Sequence, residues 1–322
     1  MKKLLFFVCI FTMCIMTLAG CGTDSAEGSK EAKEDAVKVV TTIYPLYDWA
    51  RNIDPDADLV MLLDNGVDLH NFQPTADDIL KICDADVFFY VGGESDEWVE
   101  GVLEQAGDKV KAVSLLDLLG ENVKAEELVE GMEAEEEEEE EEEEPECDEH
   151  VWLSLKNASI AVTEMEKVFS EVNPSNSEVY QTNAAEYQKK ITELEEKYST
   201  FFDGVANKTI LFGDRFPFRY LADDYDLTYY AAFAGCSAET ESSFETILFL
   251  AGKVDELNLK TVYVTETSDG KIAQTVIENT KNKDAKIVTI NALQSITGDQ
   301  KDQTTYLKLM EENLKAFQDS LN

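Results

Sequence analysis

The sequence predicts an α/β protein of two lobes, each a parallel sheet flanked by helices, joined by one long rigid α-helix. Three observations carry this. Apolar runs of strand length alternate with amphipathic stretches of helix length in the first half of the chain, and the same alternation returns in the second half. Successive βα units produce that alternation, because a parallel strand pair needs a crossover and a helix supplies it. Between the halves runs one unbroken helical pattern of about six turns. At 322 residues and 44% hydrophobic, the chain is long and apolar enough to bury the cores this requires.

In the first half, residues 37–43, 58–63, 86–91 and 109–115 have strand character, and residues 46–53, 74–85 and 96–105 between them have helical periodicity. In the second half, strands are expected at 209–212, 227–233, 260–264 and 286–290, and helices at 244–257, 271–281 and 305–321. The connecting helix starts after Pro174, where Ser175 and Glu178 have capping-box spacing. Tyr180, Ala184, Tyr187, Ile191, Leu194, Tyr198 and Phe201 then recur every three or four residues, with no proline or glycine before Gly204. The expected organisation is an N-terminal lobe at 37–173, a linking helix at 174–203 and a C-terminal lobe at 204–322.

The formal net charge is −40, which repels a phosphate backbone and argues against nucleic-acid binding. Residues 121–150 hold eighteen acids and one lysine, Lys124, with ten consecutive glutamates at 135–144. Like charge at every position opposes compaction, so 121–147 is expected to be an acidic disordered loop inserted in the first lobe after its fourth strand. Such a tract could concentrate divalent cations or be a dispensable solvated segment; glutamates alone favour hard cations and hold them weakly.

Lys2 and Lys3 precede an uncharged apolar run, residues 4–18, followed by Leu18-Ala19-Gly20-Cys21. The run is short for a membrane span and its flanks are those of an export signal, expected at 1–20. The last four residues resemble a bacterial lipobox, which implies cleavage before Cys21, lipid attachment to its thiol and a protein held at the outer face of the cell membrane. Residues 21–36 are polar and read as a flexible tether. Cys9 and Cys14 fall in the export segment; Cys83, Cys147 and Cys236 lack the paired spacing of a structural zinc site, and no disulfide framework is expected.

There are two histidines, His70 and His150. His70 lies between a strand and the helix begun near Pro74, at the carboxyl end of a strand where open α/β sheets place ligand sites. His150 directly follows the acidic loop. No His-Glu-x-x-His and no Gly-x-Ser-x-Gly occurs, so an enzyme is not expected. Two neutral imidazoles on separate loops could close on one transition-metal ion.

The segments "VVTTIYPLYDWA", "GVDLHNFQPTADD", "DADVFFYVGGESDEWV", "DEHVWLSLKNA" and "TYLKLMEENL" resemble, in this order, the zinc and manganese solute-binding proteins of ABC importers, over essentially all of the mature chain. The resemblance implies a metal cleft between two lobes, His70 and His150 as ligands, zinc as cargo, and an ABC importer permease as partner to a monomeric lipoprotein. The family's third ligand, a histidine or glutamate, aligns with Gly213, which has no side chain to offer. The adjacent Asp214 could ligate or could cap the helix near Pro217. The aspartate that completes the manganese pattern aligns with Thr304, and the nearest acid is Asp302, so zinc is expected before manganese.

Replacement ligands are sought after the strand ending at Phe233. Cys236 would bind zinc as a thiolate, or fill space as a small buried residue. Glu239 and Glu241 could ligate or cap the next helix, and Glu266 is a further candidate. The alternative function is binding of an organic solute on the same two-lobed fold after loss of the full metal site.

Overall fold

The structure is a computed structural model that describes residues 36–133, 146–237, 241–294 and 296–321. The export segment, Cys21, the tether up to residue 35, residues 134–145 of the acidic loop, and Glu239 lie outside the described residues. In the first lobe, β1 (Lys38–Thr41), α1 (Tyr44–Ile53), β2 (Asp58–Met61), α2 (Ala76–Cys83), β3 (Val87–Tyr90), α3 (Trp98–Ala106), β4 (Lys111–Ser114) and α4 (Leu115–Leu119) follow in order. The strands pair in parallel as β2-β1-β3-β4. They are the apolar runs anticipated, trimmed at the ends where the ladder stops.

Two long helices come next, α5 (Leu155–Val172) and α6 (Ser177–Gly204), then β5 (Thr209–Phe216), α7 (Arg219–Asp224), β6 (Thr228–Ala234), α8 (Phe244–Glu256), β7 (Thr261–Thr265), α9 (Lys271–Glu278), β8 (Lys286–Ile290) and α10 (Tyr306–Ser320). The second sheet is also parallel, in the order β6-β5-β7-β8. Both sheets belong to one compact unit, Glu34–Asn322.

Two local expectations fail for identifiable reasons. The capping box at the start of α6 does not form: Ser175 Oγ donates to Asn173 Oδ1 at 2.6 Å, and the chain enters α6 through a 3-10 turn at Pro174–Asn176. β5 is twice as long as anticipated, because an irregularity between Phe212 and Arg215 lets pairing with β6 resume for two more residues. Asp214 sits inside that irregularity. Its Oδ2 accepts from Thr265 N at 2.9 Å and Thr265 Oγ1 at 2.6 Å, which ties β5 to the end of β7.

The apolar face of α6 is buried as its spacing requires, with Phe202 rather than Phe201 as its last fully buried member. Three tyrosines on that face anchor it by their hydroxyls. Tyr180 donates to Asp54 Oδ2 at 2.9 Å, Tyr187 to Asp48 Oδ2 at 2.8 Å, and Tyr198 to the Met310 carbonyl at 2.6 Å. One helix is thereby fastened to α1 and to α10, the last element of the chain.

Asp48 is the junction of this spine. It is fully buried, and besides Tyr187 it accepts from the Arg51 guanidinium and from Tyr306 N at 3.1 Å. Burial pushes its carboxyl upward, and the Arg51 charge opposes that push. Removing one partner of such a buried pair strands the others, at a cost of about 3–5 kcal/mol. Asp48→Ala is therefore expected to lower the unfolding free energy of the metal-free protein by about 3 kcal/mol or more in urea denaturation. A loss below about 1 kcal/mol would show that water or a neighbour replaces the carboxylate.

Candidate metal centre

Both histidines lie two residues after an aspartate, in Asp68-Leu69-His70 and Asp148-Glu149-His150. The two turns are built alike. Asp68 Oδ1 accepts from His70 N at 3.1 Å, and Asp148 Oδ1 accepts from His150 N at 2.9 Å. An aspartate that satisfies the backbone two residues on fixes a tight turn locally. His70 then sits in a 3-10 turn at Leu69–Asn71, and His150 at the entrance of another at Val151–Leu153.

The rings are held from their Nδ1 sides. His70 Nδ1 is 2.7 Å from Ser95 Oγ, and His150 Nδ1 is 3.0 Å from Asp148 Oδ1. A carboxylate can only accept, so His150 carries its proton on Nδ1 and its Nε2 is a free donor pair. The two Nε2 atoms face one another at 3.3 Å, although the residues are eighty positions apart. A tetrahedral zinc with Zn–N of about 2.05 Å sets its nitrogen ligands about 3.3 Å apart. Burial, followed by the neighbouring His150, lowers the His70 pKa to about 3, so its imidazole is neutral and available to a cation at pH 7.

The second lobe closes this site at two places. Arg215, on the irregular part of β5, pairs with Asp68 Oδ2 and so reaches the base of the His70 turn. Burial is the largest influence on the Asp68 carboxyl and would raise it, but the charge and hydrogen bond of Arg215 together with the contacts to His70 hold it below the usual range. Trp152 packs its ring 5.2 Å from that of His150, donates Nε1–H to the Ala292 carbonyl at 2.8 Å, and accepts Tyr306 O–H at 2.7 Å.

Cys236 completes the cluster. His70, His150 and Cys236 each offer a ligand atom, and those atoms lie within 4.8 Å of one another. Gly235 eases this approach: a Cβ there would lie 3.0 Å from both His150 Nδ1 and the Phe216 carbonyl, so a side chain would make the ring or the end of β6 give way slightly. Cys236 N donates to Glu126 Oε1 at 3.1 Å. Burial, then Asp148 and Glu126, push the thiol well up, so a bound cation would have to displace its proton. A tetrahedral N–Zn–S angle needs about 3.6 Å between nitrogen and sulfur, so the sulfur side would draw in slightly on binding.

The other sequence candidates are elsewhere. Asp214 turns its Oδ2 to Thr265 and lies outside the cluster, and because α7 begins only at Arg219 it does not cap that helix. Glu241 is exposed and outside the cluster, and α8 is capped by Ser243 instead. Glu239 lies outside the described residues. Glu266 Oε2 accepts from Ala292 N at 2.7 Å. At Gly213 a Cβ would lie 2.5 Å from Ala273 Cα, so this position faces α9 and has no room for any side chain. Asp302 lies 3.7 Å from Arg51, where it belongs to the α1 surface.

Sequence reasoning passed over Asp68, Ser95, Asp148 and Arg215. The repeated Asp-x-His spacing was available as a signal for the two aspartates. Nothing local marks Ser95 or Arg215, which meet the histidine turns only through tertiary packing.

Two parallel α/β lobes strapped together by one long helix, with imidazoles and a thiol converging where the lobes meet, define a solute-binding protein of the metal-capturing kind. The family model for the periplasmic zinc-uptake complex component A, ZnuA, matches residues 39–320, and the chain belongs to that family. The chain is 32% identical to the high-affinity zinc uptake system protein ZnuA of Bacillus subtilis, over 97% of this chain and 96% of that protein. It is 29% identical to the zinc-binding lipoprotein AdcA of Streptococcus pneumoniae, over 98% of this chain but 60% of that longer protein. Among solved structures, the Zn(II)-bound ZnuA-like domain of S. pneumoniae AdcA superposes with a TM-score of 0.69 at 26% identity, covering 89% of this chain and 99% of that domain. The metal-dependent lipoprotein YcdH of B. subtilis does so with a TM-score of 0.69 at 28% identity, covering 88% and 99%.

Proposed function

We propose that this protein captures a zinc ion outside the cell and delivers it to the permease of an ABC importer, as a monomer held at the membrane by lipid on Cys21. His70, His150 and Cys236 are the proposed ligands, and lobes at 37–173 and 204–322 the two jaws. The observation that carries this is the pair of Nε2 atoms 3.3 Å apart, each on a ring fixed from behind by Ser95 or Asp148. Nitrogen and sulfur donors favour zinc over manganese, which prefers oxygen. The zinc-binding relatives support the same choice.

The test is metal content. Residues 22–322, stripped and dialysed against mixed zinc, manganese, iron and copper, are expected to retain one tight zinc per chain. No tight metal would overturn the proposal and favour an organic solute on this fold. Cys236→Ser is expected to weaken zinc by about tenfold to a hundredfold, as the hydroxyl is a far poorer ligand than a thiolate. Loading with cobalt gives an independent readout: the sulfur-to-cobalt charge-transfer band should be present in the unmutated protein and absent in the variant. A band that survives the substitution would remove Cys236 from the ligand set.

A further inference from the structure

Beside the cluster lies a groove of about 610 Å³, between the loop after β3, the start of α4 and the segment that leads into His150. Its charged lining is entirely acidic: Glu94, Glu97, Asp117, Glu146 and Glu149, with no lysine or arginine among the lining residues. Two thiols, Cys147 and Cys236, also line it. Cys236 is at the same time a member of the histidine cluster, so groove and cluster share a wall.

A second observation points to a ligand. Glu149 is only 1% exposed, yet only one of its carboxylate oxygens has a hydrogen-bond donor. Oε1 accepts from Ser95 N at 2.9 Å; Oε2 has no donor and lies 3.8 Å from His70 Nδ1. Leaving a buried carboxylate oxygen unmatched is costly, and a cation passing between groove and cluster would match it.

We propose that this acidic groove is an entry site for a hydrated divalent cation, from which the ion passes by Glu149 to the histidine–thiol cluster; the proposal rests on the metal-capture function above. The chemistry orders the donors along the way. Exposed carboxylates at the mouth hold a divalent ion weakly and release it readily. Imidazole and thiolate hold zinc far more tightly, so the ion moves from oxygen donors to nitrogen and sulfur. The groove governs how fast zinc arrives, while the cluster governs how tightly it stays.

The experiment is stopped-flow association of zinc with metal-free protein of residues 22–322, followed through tryptophan fluorescence, since Trp152 packs on His150. One variant neutralises the exposed mouth by Glu94→Gln, Glu97→Gln and Asp117→Asn. A control carries Glu186→Gln, Glu193→Gln and Glu196→Gln on the exposed face of α6, with the same change in net charge. The groove variant is expected to bind zinc about tenfold more slowly, with the difference shrinking as salt is added. Its equilibrium affinity should stay within about threefold, because ions leave by the same path, and the control should slow by less than about twofold. Equal slowing of both variants, or of neither, overturns the entry site and leaves only the overall field of the protein. If the unmutated protein takes up no zinc at all, the metal-capture function itself falls; tight uptake with unchanged rates removes the entry site alone.

Discussion

His70→Ala is expected to abolish tight zinc binding while leaving the fold intact. Zinc sites built from four ligands bind with about 10–16 kcal/mol, so removing one ligand costs about 3 kcal/mol, or at least about a hundredfold in Kd. The effect should sit at the upper end, because His70 supplies one of the two Nε2 atoms that face each other at 3.3 Å. His70 is in a 3-10 turn whose backbone bond to Asp68 does not depend on the imidazole, so the turn should survive the substitution. Competition against a chromophoric chelator measures the affinity, and thermal melting of the metal-free variant measures the fold. A Kd within about threefold of the unmutated protein would remove His70 from the site.

The second large effect is a failure to repair. The family pattern invites Gly213→His as a restored third ligand. Here that substitution is expected to destabilise the protein by about 3 kcal/mol or more, and not to tighten zinc. A Cβ at 213 would stand 2.5 Å from Ala273 Cα, 2.7 Å from Ala273 Cβ and 2.8 Å from Ala273 N. Two of those atoms are backbone of α9, which cannot swing aside as a side chain could, and forced overpacking costs about 1–3 kcal/mol even where side chains can adjust. Urea denaturation and zinc competition on the same sample decide it. A variant of normal stability that binds zinc more tightly would show that α9 moves away from β5 and that this chain retains the family's ligand position. The expected result would fit the proposal that, with position 213 closed, Cys236 at the end of the neighbouring strand supplies the third donor.

Much of this was legible from residues alone. The eight strands and the long helix follow from local periodicity, which survives whatever the rest of the chain does. The two histidines stood out because each lies at the carboxyl end of a βα turn or beside the acidic loop, and Cys236 because it follows the end of β6. Asp214, Glu239 and Glu241 also offered carboxylates, and sequence placed Cys236 only a little ahead of them. Their fates were decided by partners far along the chain: Thr265 occupies Asp214, and Cys236 Sγ comes within 4.0 Å of His150 Nδ1.

By itself, then, the sequence determined two parallel βα lobes and the connecting helix, because their periodicity is set within a few residues. Tertiary structure alone decided which donors meet. The 3.3 Å approach of the two imidazoles spans eighty positions, Arg215 reaches Asp68 from the other lobe, and the closure of position 213 depends on how α9 lies on β5. Distances of that kind are set by the packing of whole elements, where a shift of one ångström changes a ligand into a bystander, and no local pattern encodes them.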